Sequence, residues 1–188
     1  KVKQPYILAV GRLVPRKGFD VLIEAFAALD QVQYGEVQLV IVGDGLERAA
    51  LEKCAEQHWV NPRVHFLGEV PEEELRALYG GASLFALTPR ARAAHVEGFG
   101  IVYLEAAAVG LATLGTASGG VPEAVLHNET GLVVQPTAAA VAEGLTYLLN
   151  NEAERKKLGA AGKKRAWEEF RWPKRILLVK GVIDAIIS

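Results

Sequence analysis

The sequence predicts a doubly wound α/β domain, with a parallel sheet of about six strands and helices on both faces. Two observations carry this reading. Apolar runs of four to six residues alternate with longer segments of helical period along most of the chain. Glycines gather where the strand runs end, at 11, 43, 45, 68 and 115. The composition agrees: 188 residues, 51% hydrophobic and 23% charged, suit one domain, 1–188, with an ample core.

The elements follow in order. Residues 6–10 (YILAV) read as a strand closed by Gly11, and 19–29 (FDVLIEAFAAL) place apolar residues at helical spacing. Residues 37–42 (VQLVIV) form a second strand ending at Gly43-Asp44-Gly45, and 46–58 a second helix. A third strand, 64–67 (VHFL), ends at Gly68. Pro71-Glu72-Glu73-Glu74 opens a helix, with proline in the first turn and acids at the positive end of the dipole. Strands at 83–87 (SLFAL), 111–115 (LATLG) and 131–134 (GLVV) complete the sheet. Three helical patterns, 137–149, 152–170 and 172–187, make a helical C-terminal tail.

Charge and cysteine usage narrow the function classes. The net charge of −1 gives no overall basic footprint for nucleic acid. Its distribution is uneven, +5 over 150–188 and −6 over the remainder. The tail reads as a solvated helical face, with a domain-docking surface or peripheral contact with an anionic membrane as alternatives. The single cysteine, Cys54, fits a reducing, cytoplasmic setting and reads as an inert buried thiol. No apolar run reaches membrane-spanning length and no signal peptide is evident. Methionine is absent, even at position 1, so the chain reads as a portion of something longer.

In a sheet of this kind ligands bind beyond the carboxyl ends of the strands. The candidate loops are therefore 11–18, 43–45, 68–70, 88–100 and 115–122. The first, GRLVPRKG, follows a strand and leads into a helix. Gly11 allows close backbone approach, the helix start favours anions, and Arg12 and Lys17 add positive charge. Arg16 adds a third charge and is the one of the three that best fits a merely solvated role; the set suits a phosphate or diphosphate, with a solvated basic loop as the plainer alternative. It is not a Walker loop, because the GK[ST] is missing. GDGLER, 43–48, offers a GxG, but Arg48 stands where the third glycine of a dinucleotide fingerprint belongs. It reads as a turn with Gly43 backbone beside the ligand.

The segment HVEGFGIVYLEAAAVG carries two glutamates, Glu97 and Glu105, eight positions apart. On one helix they would lie about 12 Å apart along the axis and roughly 80° apart in rotation. That exceeds the roughly 5–9.5 Å of a glycosidase carboxylate pair, and suits one elongated ligand held at two points. A helix is expected to start between Gly98 and Ile101, its free N–H groups receiving phosphate. Glu97 then accepts from sugar hydroxyls and Glu105 from ribose hydroxyls, since a carboxylate is an acceptor with two oxygens. A helix-start acid for Glu97 and a solvated face for Glu105 are the plainer alternatives. His95 reads as surface decoration. The glycine turn Ser118-Gly119-Gly120 before Val121-Pro122-Glu123 is either a tight turn or a wall of the site. No His/Cys cluster has metal-ligand spacing, so no metal and no cofactor is expected.

Taken together, GRLVPRKG, VIVGDG, VHFLGEV, EGFGIVYLE, SGGVPEAV, TGLVV and EEFRW resemble, in order and over nearly the whole chain, the C-terminal donor-binding domain of GT-B fold retaining glycosyltransferases of family 4. The resemblance implies a Rossmann-like domain that binds a UDP-, GDP- or ADP-sugar without a metal. It assigns the donor diphosphate to Arg12 and Lys17, the sugar to Glu97 and the ribose to Glu105. It puts the base beside the backbone of Gly68 to Val70, and sugar and phosphate beside the backbone of Gly98, Phe99, Gly100, Ile101 and Val102. Arg12, Lys17 and Glu97 are the implied catalytic set. Such enzymes hold the acceptor on an N-terminal domain, which this sequence lacks, so transfer is expected only with that partner. A nucleotide-binding subunit without transfer activity is the alternative. A nicotinamide oxidoreductase is disfavoured by the broken fingerprint, and a nucleotide-sugar epimerase by the two-glutamate segment.

Overall fold

The computed structural model describes residues 3–91, 97–171 and 176. Six parallel strands run in the order β3-β2-β1-β4-β5-β6. They are β1 (Tyr6–Val10), β2 (Gln38–Val42), β3 (Val64–Gly68), β4 (Leu84–Ala86), β5 (Thr113–Thr116) and β6 (Gly131–Val134). Both central strands are wholly buried, which explains their continuous apolar runs: a strand covered on two faces has no polar side. β1 pairs with β2 from Tyr6–Gln38 to Val10–Val42, and with β4 through Ile7–Leu84 and Leu8–Phe85.

The helices are α1 (Phe19–Ala27), α2 (Gln31–Tyr34), α3 (Arg48–Gln57), α4 (Glu72–Gly81), α5 (Ile101–Val109), α6 (Val121–Ala124), α7 (Ala138–Asn150) and α8 (Glu152–Glu169). α1 packs against α3 and α7, and α5 against α4 and α8, which divides them into two layers around the sheet. The expected helix at 172–187 lies outside the described residues, Ile176 excepted. The short α2 escapes the periodicity reading because four residues hold one turn; Asp30 caps it, accepting from Val32 N–H at 2.7 Å.

Strand order decides where a ligand can sit. The chain builds outward from β1 to β3, returns to the centre and builds the other way from β4. Loops after β1 and β4 therefore diverge, and a crevice opens between them at the carboxyl edge. The loop after β1 carries Arg12, Arg16 and Lys17, and that after β4 carries Glu97.

Candidate functional site

The basic loop is shaped by its ends. Pro15–Lys17 make one 3-10 turn, and Gly18 leaves it at φ 67°. A Cβ on Gly18 would stand 1.9 Å from the Thr88 carbonyl oxygen, so only glycine lets the loop lie against the segment after β4. Thr88 Oγ1 donates to the Gly18 carbonyl at 2.6 Å, and the Arg90 N–H donates to the Arg16 carbonyl at 3.0 Å. The Arg90 guanidinium also pairs with Asp20, the second residue of α1. The turn directs Lys17 inward, where it is 9% exposed, and leaves Arg12 exposed.

Glu97 meets this loop. The residue is 6% exposed; its Oε2 accepts from Arg16 Nη1 at 2.9 Å and forms an ion pair with Lys17 Nζ at 2.8 Å. Burying a carboxylate is costly unless it is paired in this way. Arg16 is thus no solvated bystander, contrary to the sequence reading; its partner lies 81 positions away, beyond the reach of local pattern. Two cations on one carboxylate leave the cluster one positive charge in excess, and Arg12 adds another with no ion pair among the described residues.

Glu97 is not on the helix. Gly100 takes φ 77° and α5 begins only at Ile101, so the separation computed for one helix does not apply. Glu97 stands in the loop, while Glu105 is the fifth residue of α5. Gly98 is exposed, Phe99 and Val102 are half-buried, and Ile101 is exposed at the helix start, where the first N–H groups have no intrahelical partner. Tyr103, one turn in, is fully buried and donates to the Leu87 carbonyl at 2.7 Å; burial and the Glu97 charge hold its hydroxyl well above the ordinary tyrosine range.

The turn Ser118-Gly119-Gly120 packs against the backbone of Glu97 and Gly98. A Cβ on Gly119 would lie 2.0 Å from the Glu97 carbonyl oxygen, and one on Gly120 2.0 Å from that of Gly98. The Gly120 N–H donates to the Glu97 carbonyl at 3.1 Å. The two glycines let β5's loop clamp the backbone that presents Glu97. The Ser118 hydroxyl is buried there with no hydrogen-bond partner among the described residues, a group for an incoming ligand or water to satisfy.

The remaining predicted positions gather along the same edge. Gly43 N–H donates to the Gly68 carbonyl at 2.8 Å, and a Cβ on Gly43 would meet the Gly11 carbonyl oxygen at 2.1 Å. The GDG turn therefore serves close packing between the loops of β1, β2 and β3. Val70 follows, half-buried. Glu105 is exposed, and its Oε2 accepts from the buried Tyr79 hydroxyl at 2.9 Å. Burial and the carboxylate push that hydroxyl far above its usual range, so Tyr79 remains a donor that orients Glu105. Sequence reasoning missed Tyr79, which sits 26 positions away on α4.

Comparison with known proteins now decides the family. Residues 1–165 match the family described as "Glycosyl transferases group 1". The chain belongs to that family. It is 40% identical over 173 residues to a GDP-mannose-dependent alpha-(1-6)-phosphatidylinositol monomannoside mannosyltransferase of Mycobacterium tuberculosis, covering 90% of this chain and 45% of that protein. It therefore spans about half the length of the curated relatives it matches. Among solved structures, a sucrose-phosphate synthase of Thermosynechococcus elongatus superposes with a TM-score of 0.85 at 30% identity, over 98% of this chain and 46% of that one. The C-terminal domain of a group 1 glycosyl transferase of Francisella tularensis gives 0.77 at 25%, over 90% and 88%.

Other features of this group 1 glycosyltransferase chain lie away from the crevice. A 630 Å³ concavity at the amino ends of β1 to β3 is lined by Tyr6, Gln38 and His65. Ligands in such sheets occupy the opposite edge, so the concavity is no rival to the site. One group that sequence spacing does not show lies elsewhere: Glu24 of α1 comes together with Cys54 of α3 and His58 at its C-cap. Cys54 is half-buried rather than sequestered. His95 lies outside the described residues. No helix among the described residues is long and apolar enough to cross a membrane.

Proposed function

We propose that this chain is the donor-binding half of a retaining hexosyltransferase. It binds a nucleotide-diphosphate sugar and, with an N-terminal acceptor domain, passes the sugar on with its anomeric configuration kept. The observation that carries the reading is the buried Glu97 carboxylate clasped by Lys17 and Arg16, beside the uncommitted Arg12, at the switch point of the sheet. An acceptor for sugar hydroxyls and an excess of positive charge for a diphosphate stand side by side. Glu105, held by Tyr79 on Oε2, has Oε1 without a partner among the described residues and offers it to the ribose.

In the proposed chemistry the bond from the anomeric carbon to the diphosphate oxygen breaks while the acceptor oxygen bonds to the same face of that carbon. The acceptor's proton passes to the departing phosphate. Arg12 and Lys17 stabilise the charge that develops on the leaving group, each contact contributing about 1.5–3 kcal/mol. The first N–H groups of α5 add their dipoles. No metal takes part in this reading. The full enzyme is cytoplasmic, and peripheral membrane contact suits it, since the mycobacterial relative is named for a lipid-linked acceptor.

A thermal-shift panel of UDP, GDP, ADP and their sugars tests the donor, with GDP-mannose first because the relative is named for it. A ligand at 100 times its Kd stabilises by about 2.7 kcal/mol. Glu105→Ala is expected to weaken nucleotide diphosphate and nucleotide sugar alike, and Glu97→Ala the sugar-bearing ligand selectively. Equal losses for both ligands in both variants would reject the two-point reading.

Arg12→Ala is expected to weaken a nucleoside diphosphate by about tenfold, the value of one charge-assisted contact, and leave the bare nucleoside unchanged. Donor affinity should be the same in EDTA, Mg²⁺ or Mn²⁺. Strict dependence on either ion would contradict the assignment.

A further inference from the structure

Glu24, Cys54 and His58 each offer one ligand atom, and these atoms lie within 4.8 Å of one another. Cys54 and His58 are four residues apart on α3 and its C-cap, so both point to one face; Glu24 comes across from α1. None of the three side chains has a hydrogen bond or ion pair among the described residues. Burial first, and then the nearby carboxylates of Glu24 and Asp20, push the Cys54 thiol up; Asp20 is itself paired with Arg90. The C-terminus of α3, where His58 stands, is the negative end of the helix dipole.

We propose that these three residues form a Zn²⁺ site that ties α1 to α3. Thiolate, imidazole and carboxylate together are the ligand set of a borderline-soft ion that favours tetrahedral coordination, with water in the fourth position. With bond lengths of about 2.0–2.3 Å, tetrahedral ligand edges come to about 3.3–3.6 Å. The observed spread contracts to that by small rotations of the exposed Glu24 and His58 about a half-buried, fixed Cys54. On binding, Cys54 gives its proton to solvent and a Zn–S bond forms. His58 binds neutral and Glu24 ionised, leaving the site with no net charge beyond its bound water. Sequence spacing hides the site because its third ligand is 30 positions from Cys54.

Titration of the metal-free chain with Zn²⁺, and with Co²⁺ as a spectroscopic probe, tests this. One ion should bind per chain and raise the Tm. Co²⁺ should give the thiolate charge-transfer band and the intense visible bands of a tetrahedral ion. Cys54→Ser and His58→Ala should each weaken binding by more than the roughly 10–100-fold typical of losing an outer-shell contact, and Glu24→Gln by about tenfold. Melting without metal checks that the variants fold. Binding that survives Cys54→Ser unchanged, Co²⁺ spectra without the thiolate band, or no stoichiometric binding would overturn the site. Since the crevice residues are not involved, its failure would leave the donor reading intact, and the reverse.

Discussion

Glu97→Ala is expected to lower the stability of the ligand-free chain by about 3 kcal/mol, the low end of what breaking a buried ion pair costs. The loss arises from what remains. Lys17, 9% exposed, keeps its charge with no carboxylate within reach, and Arg16 loses the same partner. At 2–4 °C per kcal/mol for a chain of this length, Tm should fall by roughly 6–12 °C. Arg16→Ala should cost about 1 kcal/mol or less, because its side chain is a quarter exposed and Lys17 still neutralises the carboxylate. Replacing both partners, as Lys17→Met with Glu97→Leu, should recover most of the loss, since no buried charge is then left alone. Thermal unfolding of the three variants beside the parent reads this directly. A Glu97→Ala chain as stable as the parent would mean the cluster is not dry in solution.

The same cluster marks how far the sequence could be read. Alternation placed all six strands, and β6 matches to the residue because the polar Thr130 and Gln135 bracket the run of four, Gly131–Val134. β5 begins two residues later than expected: Leu111 and Ala112 are buried and apolar but lead into the strand instead of belonging to it. Burial pattern alone cannot separate the two. Lys17, Glu97 and the glycines stand out in the sequence because strand-end loops are where such sheets bind ligands, and Glu105 because of its spacing from Glu97. What escaped was every role fixed by a partner far along the chain. Arg16 needs Glu97, Glu105 needs Tyr79, and Gly119 and Gly120 owe their identity to the backbone of Glu97 and Gly98. α5 starts at Ile101, the last position of the expected range, because Gly100 takes a left-handed conformation, so Glu97 precedes the helix and only Glu105 lies on it.

Residues 1–188 alone are expected to bind a nucleotide sugar weakly and to transfer none of it. The crevice lies open at the sheet edge, with Arg12 exposed and Glu105 on the surface, so a bound donor stays partly solvated. Weak affinity follows from incomplete enclosure. Transfer demands more. In the proposed reaction the acceptor oxygen must be held against the anomeric carbon on the face the diphosphate leaves, and the described loops form one wall only. Relatives in the family are about twice as long, and this chain covers 45% of the mycobacterial one. Positioning of a second reactant accounts for about 7–11 kcal/mol of a barrier, or about 10⁵–10⁸ in rate. Without it, turnover falls below detection even where the donor site is intact. Supplying the other half found in those relatives, fused or as a separate chain, should restore transfer and tighten donor binding together, because the same wall encloses both substrates. A donor that binds equally well with and without that half, or steady transfer by 1–188 with purified acceptor and no other protein, would show that the positioning resides in this chain.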